Sequence, residues 1–275
     1  MGQIAFAKLS GAGNDFVLID NRQNVVPDNL SEFIIKVCAH RLSVGADGVL
    51  LVENSDVADF KMRYFNSDGG EAETCGNGAR CIARFVYSEG IVKSDKMTFE
   101  TKAGLYSAEI KDKAVKLGMS DATGLRLSFP IKLSDGIHTI SFVNTGVPHA
   151  VFFVDDLDST DVFKLGRETR YHNDFAHKGT NANFIKIKDK SNIDIRTYER
   201  GVEDETLACG TGGIASAIAA SAVGITVSPV TMHTRGGFPL KIYFKLESGG
   251  AKEVYLVGDA RIIIKGYLLE DAWNY

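Results

Sequence analysis

At 275 residues, with 44% hydrophobic and 24% charged residues, the chain has the composition of a globular protein, enough for one large domain or two average ones. Its formal net charge of -4 lacks the basic excess that binding phosphates requires, which argues against nucleic acid and for a small-molecule partner. The opening residues MGQIAFAKLSGAGNDF carry no continuous apolar run before a cleavage site, and Phe6 stands where a myristoylation signal needs Ser or Thr, so a cytoplasmic protein with reduced thiols is expected.

In chain order, FVLID (Phe16–Asp20), VLLVE (Val49–Glu53), FKMRYF (Phe60–Phe65), MTFETK (Met97–Lys102) and AVKLGM (Ala114–Met119) alternate or cluster apolar residues between Gly, Asn and Asp, the pattern of strands. Leu30–His40 predicts a peripheral amphipathic helix with Cys38 on its apolar side. ARCIARFVYSEG (Ala79–Gly90) and GIASAIAASAVG (Gly213–Gly224) have helical length, small or apolar residues, and a closing Gly suited to a C-cap. The longest mostly apolar stretch, Ile214–Val227, is shorter than the roughly 20 residues that span a bilayer, so it predicts a buried helix and no membrane association.

The sequence returns weakly at an offset of 134 residues. Between Tyr64 and Ser94 nine positions are identical at that offset: Tyr64/Tyr198, Glu71/Glu205, Cys75/Cys209, Gly76/Gly210, Gly78/Gly212, Ala83/Ala217, Gly90/Gly224, Ile91/Ile225 and Ser94/Ser228. Chance matching gives about two. Upstream the register holds without a gap, setting AGND (Ala12–Asp15) against GVPH (Gly146–His149) and ADGVLL (Ala46–Leu51) against TNANFI (Thr180–Ile185). Downstream it slips by one residue, so that TKAG at Thr101 meets TRGG at Thr234. Shared turn signals would not keep one register over so many elements. The chain therefore reads as a duplication, each half mostly β with a prominent helix starting at its cysteine.

Those two starts, ETCGNGAR (Glu73–Arg80) and LACGTGGI (Leu207–Ile214), each place Cys and then Gly-x-Gly at a helix N-terminus. There the helix dipole and unpaired N–H groups favour a thiolate, lowering a thiol from about 8.5 towards neutrality. The same amides can hold an anion, and the glycines let a carboxylate approach the backbone. Two such units suggest inversion of a stereocentre: one thiolate removes an α-proton from one face while the other thiol returns a proton to the opposite face. That chemistry requires neither a metal nor pyridoxal phosphate.

The ordered set KLSGAGNDFVLID (Lys8–Asp20), YFNSDGGEAETCGNGARC (Tyr64–Cys81), NTGVPH (Asn144–His149), GTNANF (Gly179–Phe184) and YERGVEDETLACGTG (Tyr198–Gly212) resembles the diaminopimelate epimerase family along essentially the whole chain. The resemblance implies an α+β fold of two pseudo-symmetric domains, each a β-barrel-like sheet wrapped around a central helix. It also implies interconversion of LL- and meso-diaminopimelate for lysine and cell-wall synthesis, and a homodimer. Cys75 and Cys209 match the family's catalytic pair. Substrate-binding roles carry over to Asn14, Asn66, Asn181, Glu199 and Arg200 and to the backbone amides at Gly76, Asn77, Gly210 and Thr211, with His149 a further candidate. The types suit the task, since Arg takes a distal carboxylate, Glu an ammonium group, and Asn both donates and accepts. Val147 departs from the family, in which many members have Asn in GNPH, and a distal polar contact is lost there. The implied domains are 1–118 joined by a returning strand within 262–275, and 119–261.

Blander readings weigh against individual residues. A lone Cys is more often a small buried hydrophobe than an acid or base, which is the expectation for Cys38 and Cys81. His40, His138, His172, His177 and His233 show no metal-ligand spacing. Gly210-x-Gly212-x-x-Ala215 fits a loose dinucleotide pattern, but a polar segment precedes it and no acid occurs between Gly213 and Leu246 to bind a ribose. Two alternatives stand beside the epimerase: a related proline or hydroxyproline racemase, which has no need of a Glu199–Arg200 pair, and a non-catalytic small-ligand binding protein, which has no need of two thiols.

Overall fold

Short runs of alternating buried and exposed residues build a protein that is mostly β, and the computed structural model describes residues 2–73 and 75–275. Thr74, inside the first cysteine motif, lies outside them. The strands are β1 (Gln3–Gly11), β2 (Asn14–Asp20), β3 (Gly48–Glu53), β4 (Phe60–Asn66), β5 (Glu71–Ala72), β6 (Lys96–Thr101), β7 (Gly104–Lys111), β8 (Ala114–Gly118) and β9 (Thr123–Leu133). They continue as β10 (Gly136–Asn144), β11 (Pro148–Phe153), β12 (Asn181–Ile187), β13 (Asn192–Glu199), β14 (Asp204–Thr206), β15 (Val230–Thr234), β16 (Leu240–Glu247), β17 (Gly250–Asp259) and β18 (Arg261–Leu269). The α-helices are α1 (Leu30–Cys38), α2 (Gly76–Ser88), α3 (Val162–Arg170) and α4 (Gly210–Ala222). The chain divides into two compact units, Met1–Leu117 with Gly258–Tyr275, and Gly118–Val257.

In the first unit β18, β1 and β2 pair antiparallel, β2–β3 is parallel, β3–β4 antiparallel, β4–β6 parallel, and β6–β7–β8 antiparallel. The second repeats this succession from β9–β10–β11 through parallel β11–β12 and β13–β15 to antiparallel β15–β16–β17. The strand that β9 supplies beside β10 is supplied in the first unit by β18, from the far end of the chain. Duplication is visible at residue level, because Phe16 faces Gly48 across β2–β3 and Ala150 faces Ala182 across β11–β12, the same pair 134 residues on. The adjoining antiparallel pairing does not copy so strictly: Leu50 faces Tyr64, whereas Phe184 faces Arg196. A shift of two keeps every side chain on its original face of the sheet.

Each sheet wraps a central helix. α2 packs against β1, β2, β3, β4, β7 and β18, and α4 against β9 to β13, β15 and β16. Every residue of α4 from Gly212 to Ser221 is buried, as a helix of Ala, Ser and Ile must be when strands approach it from several sides. Both helices end alike. Past α2, Gly90 takes φ 67° while its N–H donates to Tyr87 O at 3.1 Å and that of Ile91 to Val86 O at 2.9 Å. Past α4, Gly224 takes φ 83°, with Gly224 N to Ser221 O and Ile225 N to Ala220 O both at 3.0 Å. These are two Schellman caps, each using the predicted glycine because a Cβ is penalised in that left-handed conformation.

The outer helices follow the same logic. α1 buries Phe33, Ile34, Val37 and Cys38 against Val17, Ile19, Val49 and Leu51, with Trp273 edge-on to Phe33 at 5.5 Å. In the second unit the side chain of Asp161 caps α3 by accepting from Lys164 N at 3.1 Å, and Phe152 stacks on Phe184 at 4.7 Å beneath it.

Candidate active site

Cys75 and Cys209 are the N-cap residues of the two central helices. Both have extended backbone, φ -146°, ψ 113° and φ -121°, ψ 109°. The thiol sulfur takes the place that a Ser or Asp oxygen usually fills, accepting from the third helical N–H: Gly78 N at 3.5 Å from Cys75 Sγ, Gly212 N at 3.4 Å from Cys209 Sγ. None of the four cysteines is in a disulfide, and burial raises the pKa of Cys38 and Cys81, which stay protonated as packing residues.

The first unit brings Asn14, Asn66, Cys75, Gly76 and Asn77 together. Asn14 opens β2, Asn66 closes β4, and Gly48 at the start of β3 faces Asn66, so these residues sit at one end of adjacent strands. Asn77 Nδ2 donates to Asn14 Oδ1 at 2.6 Å, and Asn14 Nδ2 donates in turn to Asp47 Oδ2 at 2.9 Å. Each amide is oriented by this line yet retains one N–H and one lone pair for a ligand. The line begins at Arg80, whose Nη2 donates to Asn77 Oδ1 at 2.8 Å although the side chain is fully buried. Asn66 is exposed, and among the described residues no hydrogen bond engages its side chain.

The second unit gathers His149, Asn181, Glu199, Arg200, Cys209, Gly210 and Thr211. Asn181 Oδ1 accepts from Arg200 N at 2.8 Å and its Nδ2 donates to Pro148 O at 3.0 Å, pinning the turn after β13 to the strand end beside it. The Arg200 guanidinium reaches Lys178 O at 3.3 Å. Glu199 accepts from Thr206 Oγ1 at 3.0 Å, and burial raises its carboxyl above the usual carboxylate range. Thr211 Oγ1 lies 3.5 Å from Cys209 Sγ.

Burial pushes Cys209 up to about 12, the charge of Glu199 adds to the shift, and contacts with Thr211 and the Gly212 amide only partly oppose it. The helix start alone predicts both thiols lowered; at Cys209 burial reverses the sign. A helix end contributes about 0.3–1 kcal/mol, less than one pKa unit, whereas full burial moves a group by up to about 3–5 units. Cys209 is thus a thiol at neutral pH and suited to give a proton.

Gly212 also has a different reason from the one its motif suggested. A Cβ there would lie 2.3 Å from Asn183 Oδ1, so the residue is glycine because a strand side chain packs on the helix start. Asn183 is fully buried; it accepts from Thr197 Oγ1 at 3.1 Å and donates to Ala150 O at 2.9 Å and to His149 Nδ1 at 3.2 Å. Since Nδ1 accepts, the His149 proton sits on Nε2, which has no hydrogen-bond partner among the described residues. Burial, with the charge of Arg200, depresses His149 to about 3, so it is a neutral donor. Sequence reasoning missed Arg80, Asn183 and Asp47; the signal for Arg80 was its place inside the first motif, where the repeat has Ile214.

Among the described residues no helix is long and apolar enough to cross a membrane, and no cluster of three or more His, Cys, Asp or Glu residues could hold a metal ion.

A family model described as diaminopimelate epimerase matches residues 6–124 and 141–263. The chain belongs to the diaminopimelate epimerase family. It is 44% identical to a protein of Aquifex aeolicus named diaminopimelate epimerase, over 98% of this chain and 99% of that one. A protein of the same name from Archaeoglobus fulgidus is 42% identical, over 99% of both. Among solved structures the fold is shared with a phenazine biosynthesis protein of the PhzF family from Bacillus anthracis, at TM-score 0.73 and 16% identity over 98% of this chain and 100% of that one. A hydroxyproline epimerase from Agrobacterium vitis shares it at TM-score 0.71 and 16% identity, over 98% and 93%. The family thus has the architecture described above, two repeated α+β halves each built around a central helix.

Proposed function

We propose that this chain is a cofactor-independent epimerase that interconverts LL- and meso-diaminopimelate, with Cys75 and Cys209 as its two acid/base groups. The observation that carries the reading is the repeated cysteine N-cap: each half ends a sulfur on the unpaired amides of its buried central helix. A thiolate at one cysteine takes the α-proton, the electron pair passes into the carboxylate as the carbanion forms, and the thiol of the other cysteine delivers a proton to the opposite face. The enzyme ends with one proton moved between sulfurs, so each turnover inverts the base and acid roles. Helix-start amides at Gly76, Asn77, Gly210 and Thr211 stabilise the carboxylate, whose charge grows in the transition state.

The remaining polar groups hold the substrate. Arg200 takes the distal carboxylate with help from Asn66 and Asn181, Glu199 takes an ammonium group, Asn14 and Asn77 offer their spare N–H and lone pair, and His149 offers its Nε2–H. The setting is the cytoplasm, in the supply of lysine and of peptidoglycan precursors, and the chain works as a homodimer on a small amino acid. The reading is tested by incubating the reduced protein with LL-diaminopimelate, L-proline and trans-4-hydroxy-L-proline in turn and resolving the products by chiral chromatography. Meso-diaminopimelate with no change in the other two supports it; inversion of proline or hydroxyproline alone replaces it with a racemase.

A further inference from the structure

The two half-sites are copies of one motif, and at the turn that carries the thiol they differ in charge. Arg80 stands where the repeat, 134 residues on, has Ile214, and both side chains are fully buried. The Arg80 guanidinium folds back to the start of its own helix: Nη1 donates to Gly76 O at 3.2 Å, Nη2 to Asn77 Oδ1 at 2.8 Å, and Nε to Asp259 O at 3.3 Å. Every acceptor is neutral. A buried guanidinium stays charged, and leaving it without an anion costs several kcal/mol.

The surrounding charged groups are committed elsewhere. Asp259 gives its carboxylate to Arg261 at 3.0 Å and to Ala12 N at 3.1 Å, and Lys8 on β1 pairs with Asp15 on β2 at 2.7 Å. Asp47, ahead of β3, is exposed and accepts from Asn14 Nδ2 and Asp15 N. On the other elements packed against α2, Arg63 of β4 pairs with Glu53 and Glu71, and Lys111 of β7 with Glu109. Negative charge at Cys81, Cys75 or Asp259 stabilises the guanidinium against its burial. Of the two sulfurs Cys81 is locked as a thiol by burial, whereas Cys75 is partly exposed at the helix start.

We propose that Arg80 is the positioning residue of the first half-site: its buried guanidinium is the standing counter-charge of a Cys75 thiolate and aligns Asn77 and Asn14 beside it, so that Cys75 holds the base in the resting protein. The second half-site, with Ile214 in place of that charge and Glu199 near its sulfur, holds the thiol. The assignment rests on the reading of Cys75 and Cys209 as the acid/base pair.

The test is alkylation of the full-length reduced protein by iodoacetamide, following Cys75 and Cys209 separately by peptide mass spectrometry from acid to alkaline pH, in wild type, Arg80→Lys and Arg80→Met. Midpoints of such profiles report thiolate formation whatever the accessibility of each sulfur. In wild type Cys75 reaches its plateau at lower pH than Cys209. In Arg80→Met the Cys75 rate at neutral pH falls about tenfold or more, the effect of losing a neighbouring opposite charge, while Cys209 is unmoved and Arg80→Lys keeps most of the wild-type profile. A purely structural role would not separate Lys from Met in this way. The proposal is overturned if Cys209 titrates first, or if Arg80→Met leaves the Cys75 profile where it was. Should Arg80→Met not fold, the order of the two wild-type midpoints decides. Labelling does not require turnover, so this profile in a protein inert towards diaminopimelate would refute the substrate and leave Arg80 in its role.

Discussion

His149 makes acid sensitivity a readout of the second half-site. Its imidazole is fully buried, paired at Nδ1 with Asn183, and depressed from 6.5 to about 3. Between those values the unfolded chain binds a proton that the native imidazole refuses, so the contribution to stability is complete above pH 6.5 and is lost as pH falls towards 3. Each pH unit below the unfolded value removes about 1.4 kcal/mol, which amounts to about 2 kcal/mol between about pH 7.5 and about pH 5. His149→Gln keeps an acceptor for Asn183 and cannot titrate. Urea unfolding at the two pH values should show wild type losing about 2 kcal/mol more than the variant, with carboxylate effects cancelling in the difference. Parallel losses in the two proteins would refute the buried neutral histidine.

Three further outcomes are expected. Cys75→Ala and Cys209→Ala should each lower epimerisation by at least about 10²-fold, the usual worth of a general acid or base, measured by the rate of meso product formation. Arg200→Met should raise KM for diaminopimelate by about tenfold to a hundredfold with a smaller change in kcat, as loss of a charged hydrogen bond worth about 1.5–3 kcal/mol requires; an unchanged KM would remove Arg200 from the distal carboxylate. Gly212→Ala should cost about 1–3 kcal/mol in urea unfolding, because its Cβ would meet Asn183 Oδ1 at 2.3 Å.

Much of the fold was legible because the duplication is written in residues with few alternatives. The glycines at 90 and 224 mark the ends of α2 and α4, and the cysteines at 75 and 209 mark their starts, since caps depend on local backbone geometry that a short motif determines. The helix read over Leu30–His40 forms and closes at Cys38, and the strands at Phe16, Val49 and Phe60 follow from apolar runs set between Gly, Asn and Asp. What the sequence hid depends on long-range burial. Arg is ordinarily a surface residue, so nothing local announces that Arg80 lies inside the barrel beside carbonyls from residues 76 and 259. Asn183 sits in a strand among apolar neighbours, and its four-way contact with His149, Ala150, Thr197 and the Gly212 turn exists only once β11, β12, β13 and α4 are assembled. At Cys209 the local helix-start cue is present but outweighed, because desolvation by the folded unit exceeds the helix-end effect.

The central claim, a two-thiol epimerisation of diaminopimelate, is tested most directly by proton NMR of LL-diaminopimelate with the reduced protein in heavy water, with neither metal nor pyridoxal phosphate added. Loss of one α-proton signal with deuterium entering that carbon, accompanied by the meso isomer and abolished by alkylating Cys75 and Cys209, is the result predicted. Retention of both α-protons by protein with verified thiols would contradict it.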